Sequence, residues 1–305
     1  MEILSHLIDT FNGRRIGIVG DLMLDHYMWS SVERISPEAP VPIAFLRHES
    51  YQLGGAGNVA INIRQLGGVP VIFGAVGHDS FGHQIIEILE NNGMPIDGII
   101  VDQSRSSTVK TRVIAENHQL LRIDREQVDP LSRETSLDLL ARFESLLDGL
   151  DAVIIEDYNK GVVTEPVIKS VTGMCRSANK IVTVDPKFYN FFEYQGVTVF
   201  KPNLNEFERA IGKRLGTFEE RVAASRELVK RLNAQYVLLT LGEAGMLLTH
   251  QSGEHHHIPT KAIEVYDVSG AGDTTIAVMT LALAGGGQPK ESAALANYAA
   301  GVVCG

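Results

Sequence analysis

DAVIIEDY (151–158) and KIVTVDPK (180–187) are short runs rich in Val and Ile, and the apolar part of each stops on carboxylates. Such a run reads as a strand buried on both faces, with its polar end left for other work. RRIGIVGD (14–21), VPVIFGAVG (69–77), VTVFKPN (197–203) and AQYVLLTLG (234–242) repeat the pattern, most of them closing on Gly, Asp or Asn. Between several of these lie helical spacings: GHQIIEILENNG (82–93), SRETSLDLLARFESLLDGL (132–150) and TFEERVAASRELVKRLN (217–233). Alternation of this kind predicts an α/β fold with a mostly parallel sheet covered by helices. Ligands then belong at the carboxyl ends of the strands.

Two stretches do not fit that alternation. HYMWSSVERISPEAPVPIAFLRHESYQL (26–53) carries three prolines and no helical period, and SSTVKTRVIAENHQLLRID (106–124) alternates like a hairpin. Both are assigned to a small β-sheet that covers one edge of the site. No linker, repeat or low-complexity segment divides the rest, so residues 1–305 read as one domain with these two insertions.

Composition narrows the function. With 44% hydrophobic and 21% charged residues, the chain has the balance of an ordinary globular protein with a large core. A formal net charge of −10 argues against general affinity for nucleic acid or anionic membrane, so any phosphate must be met by a local pocket. Cys175 and Cys304 are the only cysteines, which suits a reducing compartment. MEILSHLIDTFNGRR (1–15) reads as an amphipathic helix, not a signal peptide, and no apolar run has the length of a membrane span. A cytoplasmic location is expected.

The chemistry collects at the strand ends. DVSGAGDTT (267–275) sets two carboxylates around a nearly bare backbone, and the apolar TTIAVMTLALA (274–284) follows as a buried helix. The bare run is then a helix N-terminus whose N–H groups attract anions, and Asp273 stands beside them. GDLMLD (20–25) offers Asp21 and Asp25, either as a turn and cap or as acceptors for sugar hydroxyls. LGGAGNVAINIRQLG (53–67) brings Gly54, Gly55 and Asn58 to a helix start. Its Gly55-x-Gly57-x-x-Ala60 matches a dinucleotide fingerprint, but in the wrong context, after the irregular segment. EDYNKG (156–161) gives Asp157, Tyr158 and Lys160, and VDPK (184–187) gives Asp185 and Lys187. In KPNLNEFE (201–208), Asn203 and Glu206 are spaced either to cap a helix or to face the water shell of a magnesium ion. TLGEAGM (240–246) places Thr240, Gly242 and Gly245 in a tight turn. His255 to His257 look like a metal cluster, yet neighbours on a strand point to opposite faces and do not converge. Tyr27 and Trp29 read as packing residues of the small sheet, against the body of the protein.

GGAGNVAINIRQLGG (54–68) together with DVSGAGDTT resembles the two signatures of the ribokinase-like (PfkB) carbohydrate kinases, over essentially the whole chain. ISPEAPVP, EDYNKG, VDPK and KPNLNE are most similar to the bacterial D-glycero-β-D-manno-heptose-7-phosphate kinases of lipopolysaccharide core synthesis. Those occur alone or as half of a bifunctional protein with an adenylyltransferase; this chain stops at AAGVVCG (299–305) and leaves a second domain open. The resemblance implies a three-layer α/β/α sandwich with a small β-sheet lid, using ATP and Mg2+, with a role for a monovalent cation left open.

It also implies roles. Asp273 is the expected general base, and the amides of Gly270, Ala271 and Gly272 form an anion hole for the transferring phosphoryl group. A helix N-terminus should lower the pKa of Asp273 and weaken it as a base. Asp267 orients the loop or a cation. Asp21, Asp25, Gly54, Gly55 and Asn58 hold the sugar; Lys110, Arg112, Arg122, Lys160 and Lys187 are candidates for its phosphate. Lys110 and Arg112, two apart, face one way on a strand. Thr240, Gly242, Gly245 and Asn297 line the nucleotide site, with Asn203 and Glu206 near the phosphates and Glu206 reaching magnesium through water. The expected partners are a phosphosugar, ATP and a second copy of the chain bound through the lid. The alternatives are a family kinase of another sugar, a silent sugar- or nucleotide-binding protein, and, on the Gly55 fingerprint alone, an NAD enzyme.

Overall fold

The computed structural model describes residues 2–116, 118–260 and 270–304. Its strands are β1 (Arg15–Gly20), β2 (Leu22–Ile35), β3 (Pro42–Gly55), β4 (Val69–Gly77), β5 (Ile99–Asp102), β6 (Thr108–Ala115) and β7 (His118–Arg125). The second half adds β8 (Ala152–Glu156), β9 (Ile181–Asp185), β10 (Val199–Phe200), β11 (Tyr236–Thr240), β12 (Met246–His250) and β13 (His255–Ile258). The helices are α1 (Glu2–Asp9), α2 (Ala56–Gln65), α3 (Ser80–Asn91), α4 (Arg133–Leu147), α5 (Glu165–Ser177), α6 (Leu204–Ile211), α7 (Phe218–Arg231), α8 (Ala271–Ala284) and α9 (Pro289–Cys304).

Nine strands form one sheet in the order β13-β12-β11-β10-β9-β8-β1-β4-β5. From β11 to β5 every pairing is parallel; β12 and β13 add an antiparallel edge. All six runs read as strands above lie in it. Alternate residues feed two cores. Ile16, Ile18 and Ile154 pack with Val59, Ile85 and Ile276 from α2, α3 and α8 on one face. Val153, Ile155 and Val184 pack with Phe143, Val167 and Val229 from α4, α5 and α7 on the other. Burial on both faces explains why these strands read as unbroken apolar runs. Helix α8 is buried from Asp273 to Leu283, so its sequence is apolar all round instead of striped.

The two segments that broke the alternation form a second sheet, ordered β3-β2-β6-β7. Only Asp21 separates β2 from β1, and β3 runs straight into α2 through Gly55, whose φ of 57° suits glycine. The lid strands therefore reach further than 26–53, rooting the lid at the carboxyl end of β1. Because α2 follows β3 of the lid and not a core strand, the dinucleotide fingerprint lacks its strand-to-helix context. Tyr27 and Trp29 stack on each other, and Trp29 on His48 of the adjacent lid strand, so these stacks lie within the lid. Among the described residues no helix is long and apolar enough to cross a membrane.

Candidate active site

The carboxyl ends of β1, β8, β9 and β10 meet the N-terminus of α8. Asp21, just beyond β1, is buried and accepts from three backbone amides: Tyr158 (2.8 Å), Lys160 (3.0 Å) and Val162 (3.0 Å). Burial raises its pKa against the pull of those donors. A carboxylate has about four acceptor positions, so Asp21 chiefly holds the 158–162 loop. The sugar-hydroxyl role expected of it has one position left.

That loop delivers Tyr158. Its hydroxyl donates to Asp273 Oδ1 at 3.0 Å, while Asn58 Nδ2, on the first turn of α2, donates to Asp273 Oδ2 at 2.6 Å. Asp273 is therefore clamped from two elements. Burial, with the charge of Asp185, raises its pKa despite those two donors and Lys201. This corrects the expectation of a weakened base: desolvation outweighs the helix terminus. Burial, followed by the charge of Asp273, also raises Tyr158, which stays a neutral donor. Gly270 starts α8 with a φ of 80°, and a Cβ there would lie 3.3 Å from Asn58 Nδ2. One at Gly272 would lie 3.6 Å from Lys201 Nζ. The head of α8 thus borders Asn58 on one side and a buried lysine on the other.

Two residues of this centre were missed. Lys201, 3% exposed, follows β10 directly and pairs with Asp185 at 2.8 Å. Burial opposes its charge, but Asp185 outweighs that and raises its pKa. Glu156, 0% exposed, ends β8, and among the described residues neither of its oxygens has a hydrogen-bond partner. Burial, then the charges of Asp185 and Asp273, push it well above the usual carboxylate range. One oxygen from each of Glu156, Asp185 and Asp273 lies within 4.8 Å of the others. The available signal was a charged residue closing an apolar strand, in VIIE and in VFK.

Asn203 and Glu206 form a capping box: Asn203 Oδ1 accepts from Glu206 N (2.8 Å), and Glu206 Oε2 from Asn203 N (2.9 Å). Lys187 occupies Glu206 Oε1 at 2.7 Å. Burial would lower the pKa of Lys187, but Asp185 and Glu206 raise it. The capping reading of the pair is realised, and both Glu206 oxygens are engaged. Glu156, Asp185 and Asp273 are a separate set of hard oxygen donors of the kind that fits a divalent cation. Thr240 lies beside Asn203, and its amide donates to Pro202 O. Gly242 and Gly245 have φ of 59° and 87°, and a Cβ at Gly245 would meet Ile258 O at 2.1 Å. Asn297 donates to Pro259 O at 2.9 Å. Gly245 and Asn297 frame the 258–260 segment, while Thr240 faces Asn203 and Pro202. Asp267 lies outside the described residues.

On the lid, register sets the cations in rows. Asp25, Lys110 and Asp124 lie side by side, then Tyr27, Arg112 and Arg122. Lys110 and Arg112 do share a face. Arg112 pairs with Asp25 at 2.5 Å, Arg122 with Asp124 at 2.6 Å, and Lys160 with Glu126 at 2.7 Å. The Asp25 carboxylate also packs on Gly54, where a Cβ would meet it at 2.7 Å. Burial, offset in part by Asp25, lowers the pKa of Lys110. Lys110 and Lys187 approach the Tyr158 ring at 5.7 and 4.9 Å, which joins lid to sheet. His255 to His257 lie on β13; His257 meets Ala244 O and His256 meets Glu254, with no shared point.

Comparison with known proteins matches this architecture. The chain is 40% identical over 305 residues to the "Bifunctional protein HldE" of Paramagnetospirillum magneticum, covering 100% of this chain and 62% of that protein. It is 41% identical over 302 residues to the protein of the same name from Rhodospirillum rubrum, covering 99% and 61%. The chain thus spans about three fifths of the length of these relatives. Among solved structures, the tetrameric inhibited form of phosphofructokinase-2 from Escherichia coli superposes with a TM-score of 0.78 at 19% identity, over 96% of this chain and 95% of that one. The Arabidopsis thaliana ribokinase complexed with ribose and ATP gives 0.75 at 21%, over 96% and 93%. The model of the pfkB family of carbohydrate kinases matches residues 15–305, and the chain belongs to that family.

Proposed function

We propose that the chain phosphorylates the anomeric hydroxyl of D-glycero-β-D-manno-heptose 7-phosphate with ATP, giving the 1,7-bisphosphate for ADP-heptose and lipopolysaccharide core synthesis. The observation that carries the reading is Asp273, a buried carboxylate clamped by Asn58 and Tyr158 at the head of α8. Asp273 takes the proton of the anomeric hydroxyl as its oxygen bonds to the γ-phosphorus. The bond from that phosphorus to the β–γ bridging oxygen breaks, and ADP leaves. The amides of Gly270, Ala271 and Gly272, with Lys201 beside them, face the charge on the transferring group. Magnesium, when bound with the nucleotide, neutralises phosphate charge. Glu206 would reach it through water. Thr240, Gly242, Gly245 and Asn297 flank the nucleotide.

The lid supports a phosphorylated substrate. Arg112 and Arg122 lie directly opposite each other, an arrangement that is unfavourable between like charges unless an anion lies near. Asp25 and Asp124 supply that anion in the free chain, and a sugar phosphate would compete for it. The same pairing favours a second reading, a family kinase whose sugar carries no phosphate. Leu46, Leu121 and Ile123 are exposed on the lid, which suits pairing with a second copy.

An ATP turnover assay across phosphorylated and unphosphorylated sugars tests the proposal. The heptose 7-phosphate should be strongly preferred. Equal turnover of the unphosphorylated heptose would support the second reading, and no turnover of any sugar would remove both.

A further inference from the structure

Arg105 has no task in the scheme above. It lies on the connector that leads from β5 into the lid strand β6, and it is partly buried. Its guanidinium bonds main-chain carbonyls instead of a carboxylate: Nη2 donates to Lys160 O at 2.7 Å and meets Gln127 O at 3.5 Å. Burial lowers its pKa, offset in part by the more distant charges of Asp21, Asp102 and Asp129. An apolar side chain would fill such a place at less cost, since here a cation is desolvated without a paired charge. What Arg105 holds must therefore matter.

It holds the loop that carries Tyr158. Residues 158–162 include two left-handed positions, Asn159 (φ 54°) and Gly161 (φ 91°), and the loop takes its shape from outside. Asp21 accepts three of its amides, Arg105 takes the carbonyl of Lys160, and Leu131 N donates to Gly161 O at 2.9 Å. A Cβ at Gly161 would lie 2.0 Å from Asp129 O, so the chain leaving β7 is pressed against the loop. The chain entering β6 is anchored as well. Ser107 N donates to Asp79 Oδ2 at 3.0 Å, and Ser106 N to Gln127 Oε1 at 3.2 Å. Arg105 stands where the entry to the β6–β7 hairpin, its exit and the loop meet. At the other end of the loop the Tyr158 hydroxyl holds Asp273 Oδ1 at 3.0 Å. A loop released at Lys160 lets the ring move away and leaves Asp273 to Asn58 alone.

We infer that Arg105 is a positioning residue: by fixing Lys160 O it keeps Tyr158 on Asp273, and so aligns the carboxylate that receives the sugar's proton. It acts through Tyr158, without contact to sugar or nucleotide. The inference rests on Asp273 being the base of the proposed reaction, but not on which sugar is used.

The test is a double-mutant cycle in kcat with the sugar that the wild type turns over. Tyr158→Phe keeps the ring and removes one hydrogen bond to a charged group, and should lower kcat by roughly 10–100-fold. Arg105→Met should lower kcat by about two- to thirtyfold, with KM for sugar and ATP unchanged. In the double variant Arg105→Met should add nothing to Tyr158→Phe, because the hydroxyl it serves is gone. Losses that multiply would make Arg105 a residue of the general fold and overturn the role. A rise in KM confined to phosphorylated sugars would overturn it too, by making Arg105 a ligand of the substrate. Arg105→Lys keeps the charge with a shorter reach. It should recover part of the loss, and it carries the same cycle if the methionine variant does not fold. A second measurement needs no turnover. In a chain with isotope-labelled tyrosine Cζ, free of sugar and nucleotide, the Tyr158 resonance is the one missing from Tyr158→Phe. It should shift in Asp273→Asn and again in both Arg105 variants. A Tyr158 resonance that no Arg105 variant moves would break the link even if no sugar were turned over, which tells its failure from that of the kinase reading.

Discussion

At the carboxyl edge of the large sheet the charged side chains are buried and share partners. On the lid they pair one to one, and the outer pair stands in contact with water. Glu156, Asp185, Asp273 and Lys201 are all under a tenth exposed and lie against one another. Arg122 and Asp124 bind each other at the surface, on a strand exposed along its whole length. The difference follows from dielectric. A charge removed from water depends on every neighbour it keeps, whereas a solvated pair loses little when broken. Changes in the sheet-edge cluster should therefore be felt in turnover and folding, and changes in the lid only in substrate affinity. Tyr158, between Lys187 of the sheet and Lys110 of the lid, marks the boundary.

The largest effect belongs to Asp273. Asp273→Asn retains the shape and removes the proton acceptor, so turnover should fall by roughly 10²–10⁴-fold, as for loss of a general base. Nucleotide affinity, measured by calorimetry, should change little. A variant that keeps more than about a tenth of wild-type turnover would take Asp273 out of the chemistry.

Lys201 comes next, in folding. Lys201→Met leaves Asp185 buried without its cation, and breaking a buried pair from one side costs roughly 3–5 kcal/mol. Denaturant unfolding reads this directly. A loss below about 1 kcal/mol, the range of exposed pairs, would mean that the sheet edge behaves like the lid.

The strands, the two-sided cover and the small sheet were all legible in the sequence, because burial on both faces writes itself as runs such as VIIE and IVTV. The head of α8 was legible too, since Gly270 and Gly272 must leave room for close neighbours. Glu156 and Lys201 were not, for a topological reason. Their meeting requires β8, β9 and β10 to lie side by side, and sheet order is set by long-range pairing that no local pattern carries. Asn203 and Glu206 show the opposite limit. Their spacing was noticed, but a capping box and a metal-facing pair have the same spacing, and only the hydrogen bonds separate them.

Asp157 gives a smaller effect with a definite pH window. Burial raises its pKa from 3.8 to about 6, against donors that include Tyr194 and Asn159. The folded chain then holds this proton more tightly than the unfolded chain does. The group favours folding below about pH 4, and its contribution is lost as pH rises through 6. At ~1.4 kcal/mol per pH unit this amounts to about 3 kcal/mol. The stability difference between Asp157→Asn and wild type should shift by that much, in favour of the variant, between pH 4 and 7 on the scale of ~1.4 kcal/mol per unit. A difference that stays constant with pH would show that Asp157 does not titrate in this range.

The lid should give the smallest effects, and two arginines grade them. Arg112 is largely sheltered and meets Asp25 through one nitrogen, so a substrate phosphate can take over its remaining donors. Arg112→Ala should raise KM for the phosphorylated sugar by about tenfold, the low end for a charge-assisted bond. It should also weaken the preference for phosphorylated over unphosphorylated heptose. Arg122 is nearly half exposed and already grips Asp124 through two nitrogens at 2.7 and 2.6 Å. Little of its charge remains for a ligand, and added salt should screen what there is. Arg122→Ala should therefore raise KM by less than about fivefold, with kcat unchanged. An effect as large as that of Arg112→Ala would move the phosphate outward to the rim of the lid. Unchanged discrimination in both variants would move it to Lys160 or Lys187, inside the boundary that Tyr158 marks, and the lid would then carry no part of substrate recognition.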